Sequence, residues 1–121
     1  MNPNIQQTIL LVGSDQALNY LLGRFVEESK CTLAVLPVIA SAQEITDINP
    51  KSIIFLSREH LAAAQTLMTE LTSMESSIIV CSAVADESIA RELGADHCLL
   101  HPITYDSFRK ALEITNTPGN A

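Results

Sequence analysis

The segment Ser52-Ile-Ile-Phe-Leu-Ser57 limits what this chain can fold into more than any other stretch. It is apolar without polar alternation, set between Asn49-Pro50-Lys51 and the charged triplet Arg58-Glu59-His60. A short run of that kind suits a strand covered on both faces, as in the middle of a parallel sheet. Ligands of such sheets gather at the carboxyl ends of the central strands. Ser57 stands at that end, so any chemistry there starts from a hydroxyl and not from an acid.

The remaining runs supply the partners that a covered strand needs. Thr8-Ile-Leu-Leu-Val-Gly13 reads as a first buried strand and Cys31-Thr-Leu-Ala-Val-Leu36 as a second, closed by Pro37. Ser77-Ile-Ile-Val-Cys-Ser82 and His97-Cys-Leu-Leu-His101 read as the fourth and fifth. Helical spacing fills the intervals. Leu18, Leu21, Leu22, Phe25 and Val26 share one side of a helix capped by Ser14 or Asp15 and ending near residues 28–30. Ser41-Ala-Gln-Glu44 has capping-box spacing and opens a helix of about two turns, which Pro50 stops. Leu61, Ala64, Leu67, Met68, Leu71 and Met74 predict a single helix over residues 58–74, with Ser57 as its cap. Asp86-Glu-Ser-Ile-Ala-Arg-Glu-Leu93 predicts a compact helix with acids in its first turn and Gly94 just past its end. A last helix starts near Tyr105 behind the cap Thr104, with Phe108, Ala111 and Leu112 facing inward. Five strands alternating with helices predict a doubly wound, three-layer α/β fold with right-handed crossovers. We place one domain over residues 8–115, with polar tails at residues 1–7 and 116–121.

Composition narrows the function. A chain of 121 residues, 47% apolar, buries one core and is not disordered. No apolar run approaches the roughly 18 residues of a membrane span. The polar amino end has no signal-peptide pattern, and the cytoplasm is the expected compartment. Fourteen acids against seven bases give a formal charge of −7. Phosphate contacts need clustered Lys and Arg, whereas only Arg109 and Lys110 adjoin here, so nucleic acid is not an expected partner. Cys31, Cys81 and Cys98, without a C-x-x-C pair, are expected as reduced, buried thiols. Asp96, His97, Cys98 and His101 are metal-ligand types, but His97 and Cys98 point to opposite faces of a strand and cannot close one site. Gly13-Ser-Asp-Gln16 holds a single glycine, so a nucleotide or flavin lacks its phosphate cradle after the first strand.

The carboxyl half is the more specific. Ile78-Ile-Val-Cys-Ser-Ala83, then a helix, then Gly94-Ala-Asp-His-Cys-Leu-Leu-His-Pro102 resembles the receiver domain of bacterial response regulators, with its CheY-like, flavodoxin-like fold. In that family a strand ending in Thr/Ser-Ala leads to a Gly-Ala-Asp turn, a short strand and a Lys-Pro pair. Ile9-Leu-Leu-Val-Gly-Ser-Asp15 looks like the family's first strand with its acid cluster. The resemblance covers nearly all of residues 8–115.

The resemblance implies a machinery that can be checked position by position. In active receivers a histidine kinase phosphorylates an aspartate at the end of the third strand. Two acids after the first strand hold magnesium, while a Thr/Ser and the Lys contact the phosphoryl oxygens. A hard divalent ion needs several oxygen ligands, and the transferring group needs cationic stabilisation. Here the acid pair falls on Gly13 and Ser14, leaving only Asp15 charged. The acceptor falls on Ser57, or on Leu56 if the register is one residue off, and neither is an acid. The hydroxyl position is Ser82, the Lys position is His101, and the aromatic switch position is Cys98. The family's Met-Pro and acidic-Gly loop after the acceptor is missing. The resemblance therefore implies a pseudo-receiver: a degenerate pocket, magnesium binding lost, no cofactor and no enzymatic activity. Signalling in a two-component-type system would run through contact with a signalling protein or output domain, or a second copy, over about residues 86–115. Two other functions are carried forward: a phosphorelay receiver that takes phosphate at Ser57, and a small-ligand or nucleotide module on the same scaffold. Anti-sigma-factor antagonists also carry a serine at a strand-to-helix junction, as at Ser57, but the Gly-Ala-Asp turn fits that family poorly.

Overall fold

The structure is a computed structural model that describes residues 7–83 and 86–116, with the side chains of 113–116 left out. Its strands are β1 (Thr8–Val12), β2 (Thr32–Leu36), β3 (Ser52–Phe55), β4 (Ser77–Ser82) and β5 (His97–Leu100). They form one parallel sheet in the order β2-β1-β3-β4-β5, which puts the apolar run in the middle, as expected. The helices are α1 (Gln16–Glu28), α2 (Ala42–Ile48), α3 (Arg58–Ala63), α4 (Met68–Thr72), α5 (Glu87–Glu92) and α6 (Tyr105–Asn116). None is long and apolar enough to cross a membrane, among the described residues.

Both faces of the sheet are covered, and the residues of each strand divide between them. Ile9, Leu11, Ile54, Leu56, Ile79, Cys81 and Leu99 pack with Leu22 and Val26 of α1 and with Phe108, Ala111 and Leu112 of α6. Leu10, Val12, Ile53, Phe55, Ile78, Val80 and Cys98 pack with Ile45, Leu61, Leu71 and Ala90 on the other face. Successive side chains of a strand point to opposite faces, so a strand with two apolar neighbours shows no alternation in its sequence.

Local chemistry sets the ends of the helices. Asp15, not Ser14, caps α1: its Oδ1 accepts from the Leu18 amide at 2.9 Å. The Glu44 carboxylate reaches back to the amides of Ala40 (2.7 Å) and Ser41 (3.4 Å) at the start of α2. Asn49, left-handed at φ 52°, ends that helix just before Pro50. Thr104 Oγ1 accepts from the Ser107 amide at 3.1 Å, and α6 continues to Asn116; the rest of the tail assigned by sequence lies outside the described residues.

The predicted helix over residues 58–74 is not continuous. It is α3, a 3-10 turn at Gln65–Leu67, and α4. Gln65 accounts for the break. Its side-chain amide donates to the Leu61 carbonyl at 3.1 Å, which a continuing helix would keep for a backbone N–H, and to the Leu93 carbonyl at 2.8 Å. The apolar spacing survives, because Leu61, Ala64 and Leu71 are still buried. Two further differences concern edges. Cys31 is only half-buried, unlike Cys81 and Cys98. β2 is an edge strand whose Leu33 and Val35 are 38% and 43% exposed.

Candidate functional site

The carboxyl ends of the strands form a rim where every sequence-predicted position can be located. At the end of β1, the Gly13 amide donates to the Leu36 carbonyl at 2.9 Å, and its carbonyl accepts from Asn19 Nδ2 at 3.1 Å. Gly13 has φ +147°, and a Cβ placed there would lie 2.8 Å from Leu56 Cβ, Cγ and Cδ1. Both the backbone conformation and the space thus exclude a side chain at this position, the one the sequence resemblance sets against the family's first acid. Ser14 is exposed, and the Asp15 carboxylate is spent on its helix cap.

At the end of β3 the two candidate acceptor positions do different jobs. The Leu56 amide donates to the Val12 carbonyl at 2.9 Å, and its side chain, 4% exposed, belongs to the core beneath α1 and α6. Ser57 caps α3: its Oγ accepts from the His60 amide at 3.2 Å and lies 2.6 Å from His60 Nδ1. The hydroxyl and the ring nitrogen thus share one hydrogen bond, whose donor is set by the imidazole tautomer. His60 also borders a small recess of about 40 Å³, otherwise lined by Val12, Val38, Ile39, Phe55, Ala63 and Ala64.

The ends of β4 and β5 hold Ser82 and His101. Ser82 is 5% exposed, and among the described residues its Oγ has no partner of hydrogen-bonding geometry. Its polar neighbour is the Cys98 thiol, on the same face. Burial pushes the pKa of Cys98 up, against weaker downward pulls from Arg91 and from the Ser82 hydroxyl. Cys98 itself is 6% exposed, too enclosed to behave as a reactive thiol. His101 is exposed; its amide donates to the Ser82 carbonyl at 3.2 Å, and a cis bond joins it to Pro102.

Arg58 escaped the sequence reading. Its guanidinium lies 3.5 Å from Asp86 and 4.0 Å from Glu59, tying the start of α3 to the start of α5. Two of the rim's carboxylates therefore already face a cation. Nothing in the local pattern marked this pair, because its members are far apart in sequence. The Ser57–His60 contact did leave a signal, the Ser-x-x-His spacing of a cap and the third helical residue.

Away from the rim, the residues of metal-ligand type stay apart. Asp96 Oδ2 accepts from the Ile78 amide at 2.8 Å, and His97 and Cys98 alternate along β5. Burial holds His97 below its usual pKa, aided by Arg91. No group of three or more His, Cys, Asp or Glu that could hold a metal occurs among the described residues. A hollow of about 390 Å³ lies at the opposite end of the strands, between Thr8, Ile48, Pro50, Lys51, Met74 and Glu75.

No protein-family model matches the sequence, and no curated protein matches it either. Solved structures match throughout the fold. A signal receiver domain of a response regulator from Bermanella marisrubri superposes with a TM-score of 0.77 at 19% identity, covering 93% of this chain and all (100%) of that one. The N-terminal signal receiver domain of a two-component response regulator from Bacteroides fragilis gives 0.74 at 14% identity, with 95% and 100% covered. The signal receiver domain of a DNA-binding response regulator from Colwellia psychrerythraea 34H gives 0.73 at 14%, with 93% and 100% covered. With the strand order β2-β1-β3-β4-β5 and helices on both faces, the chain has the fold of the response-regulator receiver domain.

Proposed function

We propose that this chain is a pseudo-receiver of a two-component-type system, acting by protein–protein contact and without phosphoryl transfer. The observation that carries the reading is Gly13, where Leu56 fills the space an acid would need. Asp15 is turned into a helix cap and Asp86 faces Arg58, so the residues present do not fit a magnesium ion that requires several converging oxygens. With no acid at Leu56 or Ser57 and an exposed His101 in place of the Lys, the chain is not an enzyme of phosphoryl transfer and uses no cofactor. It works in the cytoplasm, without nucleic acid or membrane as partner, in keeping with its formal charge of −7. Its partner is a signalling protein or output domain that docks over residues 86–115, where Ile89 on α5 is 42% exposed.

A second reading rests on the Ser57–His60 pair, since a hydroxyl hydrogen-bonded to an imidazole nitrogen sets a nucleophile beside a base. Ser57 Oγ would attack the phosphorus of an acyl phosphate, His60 Nδ1 would take the hydroxyl proton, and the carboxylate would leave. Titration with magnesium and beryllofluoride under backbone NMR, together with mass spectrometry after acetyl phosphate treatment, separates the two readings. The first expects no shifts around Ser57, Ser82 and His101 and no adduct. A stable increment of one phosphate on Ser57, lost in Ser57→Ala, establishes the second.

A further inference from the structure

We infer that β2 is a pairing edge, which joins two copies of this chain across a two-fold axis into one continuous sheet. The inference concerns the edge opposite the 86–115 face and stands whether or not that face binds a partner. Among the described residues, β2 has β1 as its only neighbour in the sheet. The Thr32 amide donates to the Gln7 carbonyl at 2.8 Å, and the Leu36 carbonyl accepts from the Gly13 amide at 2.9 Å. In a parallel ladder the N–H and C=O of one residue point to the same side, so Thr32, Ala34 and Leu36 address β1. Leu33 and Val35 then turn their backbone groups outward. The same two residues carry half-uncovered apolar side chains on the α1 face, where Leu33 Cδ2 would touch a Cβ on Gly23 at 3.4 Å. Tyr20, one turn before Gly23, is 67% exposed.

Only one two-fold register satisfies the outward groups. Centred on Ala34, an antiparallel copy sets Leu33 opposite Val35 of the second copy, and Val35 opposite its Leu33. Each pair exchanges both of its N–H···O bonds, and the apolar side chains meet on one face. Centring on Leu33 would bring Cys31 opposite Val35, but the Cys31 amide is already given to the Val26 carbonyl at 3.1 Å. Centring on Val35 would bring Leu33 opposite Pro37, which has no N–H.

Charge favours a second copy at this seam. Each copy carries a formal −7, yet Thr32-Leu-Ala-Val-Leu36 holds no charge, so the strand itself sets no like charge against a second acidic chain. The strand also lacks the inward-pointing charge or the Lys that usually protects an exposed apolar edge. A seam of one short strand is smaller than a standard interface of roughly 800 Å² per partner, so the dimer is weak, and salt strengthens it by screening the like charges.

The test is sedimentation equilibrium of the full chain from about 10 μM to about 1 mM, at low and high salt, alongside amide NMR over the same range. The expected result is reversible dimerisation that rises with salt, with shifts and slowed amide exchange confined to Leu33, Val35 and their neighbours. Val35→Lys and Leu33→Lys, at positions already open to solvent, should keep the thermal midpoint and weaken dimerisation about tenfold. A monomer throughout the range overturns the inference. So does a dimer whose shifts fall on residues 86–115, or one that neither lysine variant weakens.

Discussion

The interior of the sheet and the rim at its carboxyl ends are consecutive in sequence but follow different rules. Ile53, Ile54 and Phe55 of β3 are fully buried, whereas Ser57, just beyond them, is half-buried and holds a helix cap. The interior is largely apolar, whereas the rim carries polar groups, among them Ser57, Ser82 and the Arg58–Asp86 pair. Folding draws on apolar burial, roughly 25 cal/mol per Å² removed from water, and gains nothing from acids gathered at one end. Clustered carboxylates repel one another unless a cation joins them. Where no cation is bound, a scaffold of this kind is therefore more stable without such a cluster.

The contrast can be broken by mutation, most strongly in the interior. Phe108→Ala should cost about 3–5 kcal/mol, since the ring is fully buried and packs on Phe25 at 5.6 Å between centroids; denaturant midpoints measure it. At the boundary, Gly13→Asp should cost about 2–3 kcal/mol from strain and from the 2.8 Å approach to Leu56, without restoring magnesium binding. A folded Gly13→Asp variant that binds magnesium in calorimetry would erase the distinction between the two regions. On the rim itself, Ser57→Ala should cost about 1 kcal/mol through the lost cap. Ser57→Asp, which can still cap, should stay within about 0.5 kcal/mol and yet take no phosphate from acetyl phosphate. Smallest of all, Arg58→Ala should change stability by about 0–1 kcal/mol and less at high salt, because both it and Asp86 are more than a third open to water.

Much of the fold was legible in the residues. The five strands, the caps at Asp15, Ser57 and Thr104, and the inward stripe of α6 depend on spacings of two to four residues, which a sequence displays directly. The break between α3 and α4 was not legible. Apolar spacing continues through it, and the Gln65 amide that causes it reaches Leu93, a residue brought near only by folding. The Arg58–Asp86 pair escaped for the same reason. So did the exposure of Leu33 and Val35, since an apolar strand reads alike at an edge and in the centre.

By itself, the sequence determined that a covered parallel sheet forms and that no acid stands at Gly13, Ser14, Leu56 or Ser57, because residue identity and local period suffice for both. Only the folded chain shows that no side chain fits at Gly13, that Asp15 and Asp86 are already engaged, and that β2 is an edge among the described residues. Those outcomes depend on which distant segment packs against each residue, and only the path of the chain sets that.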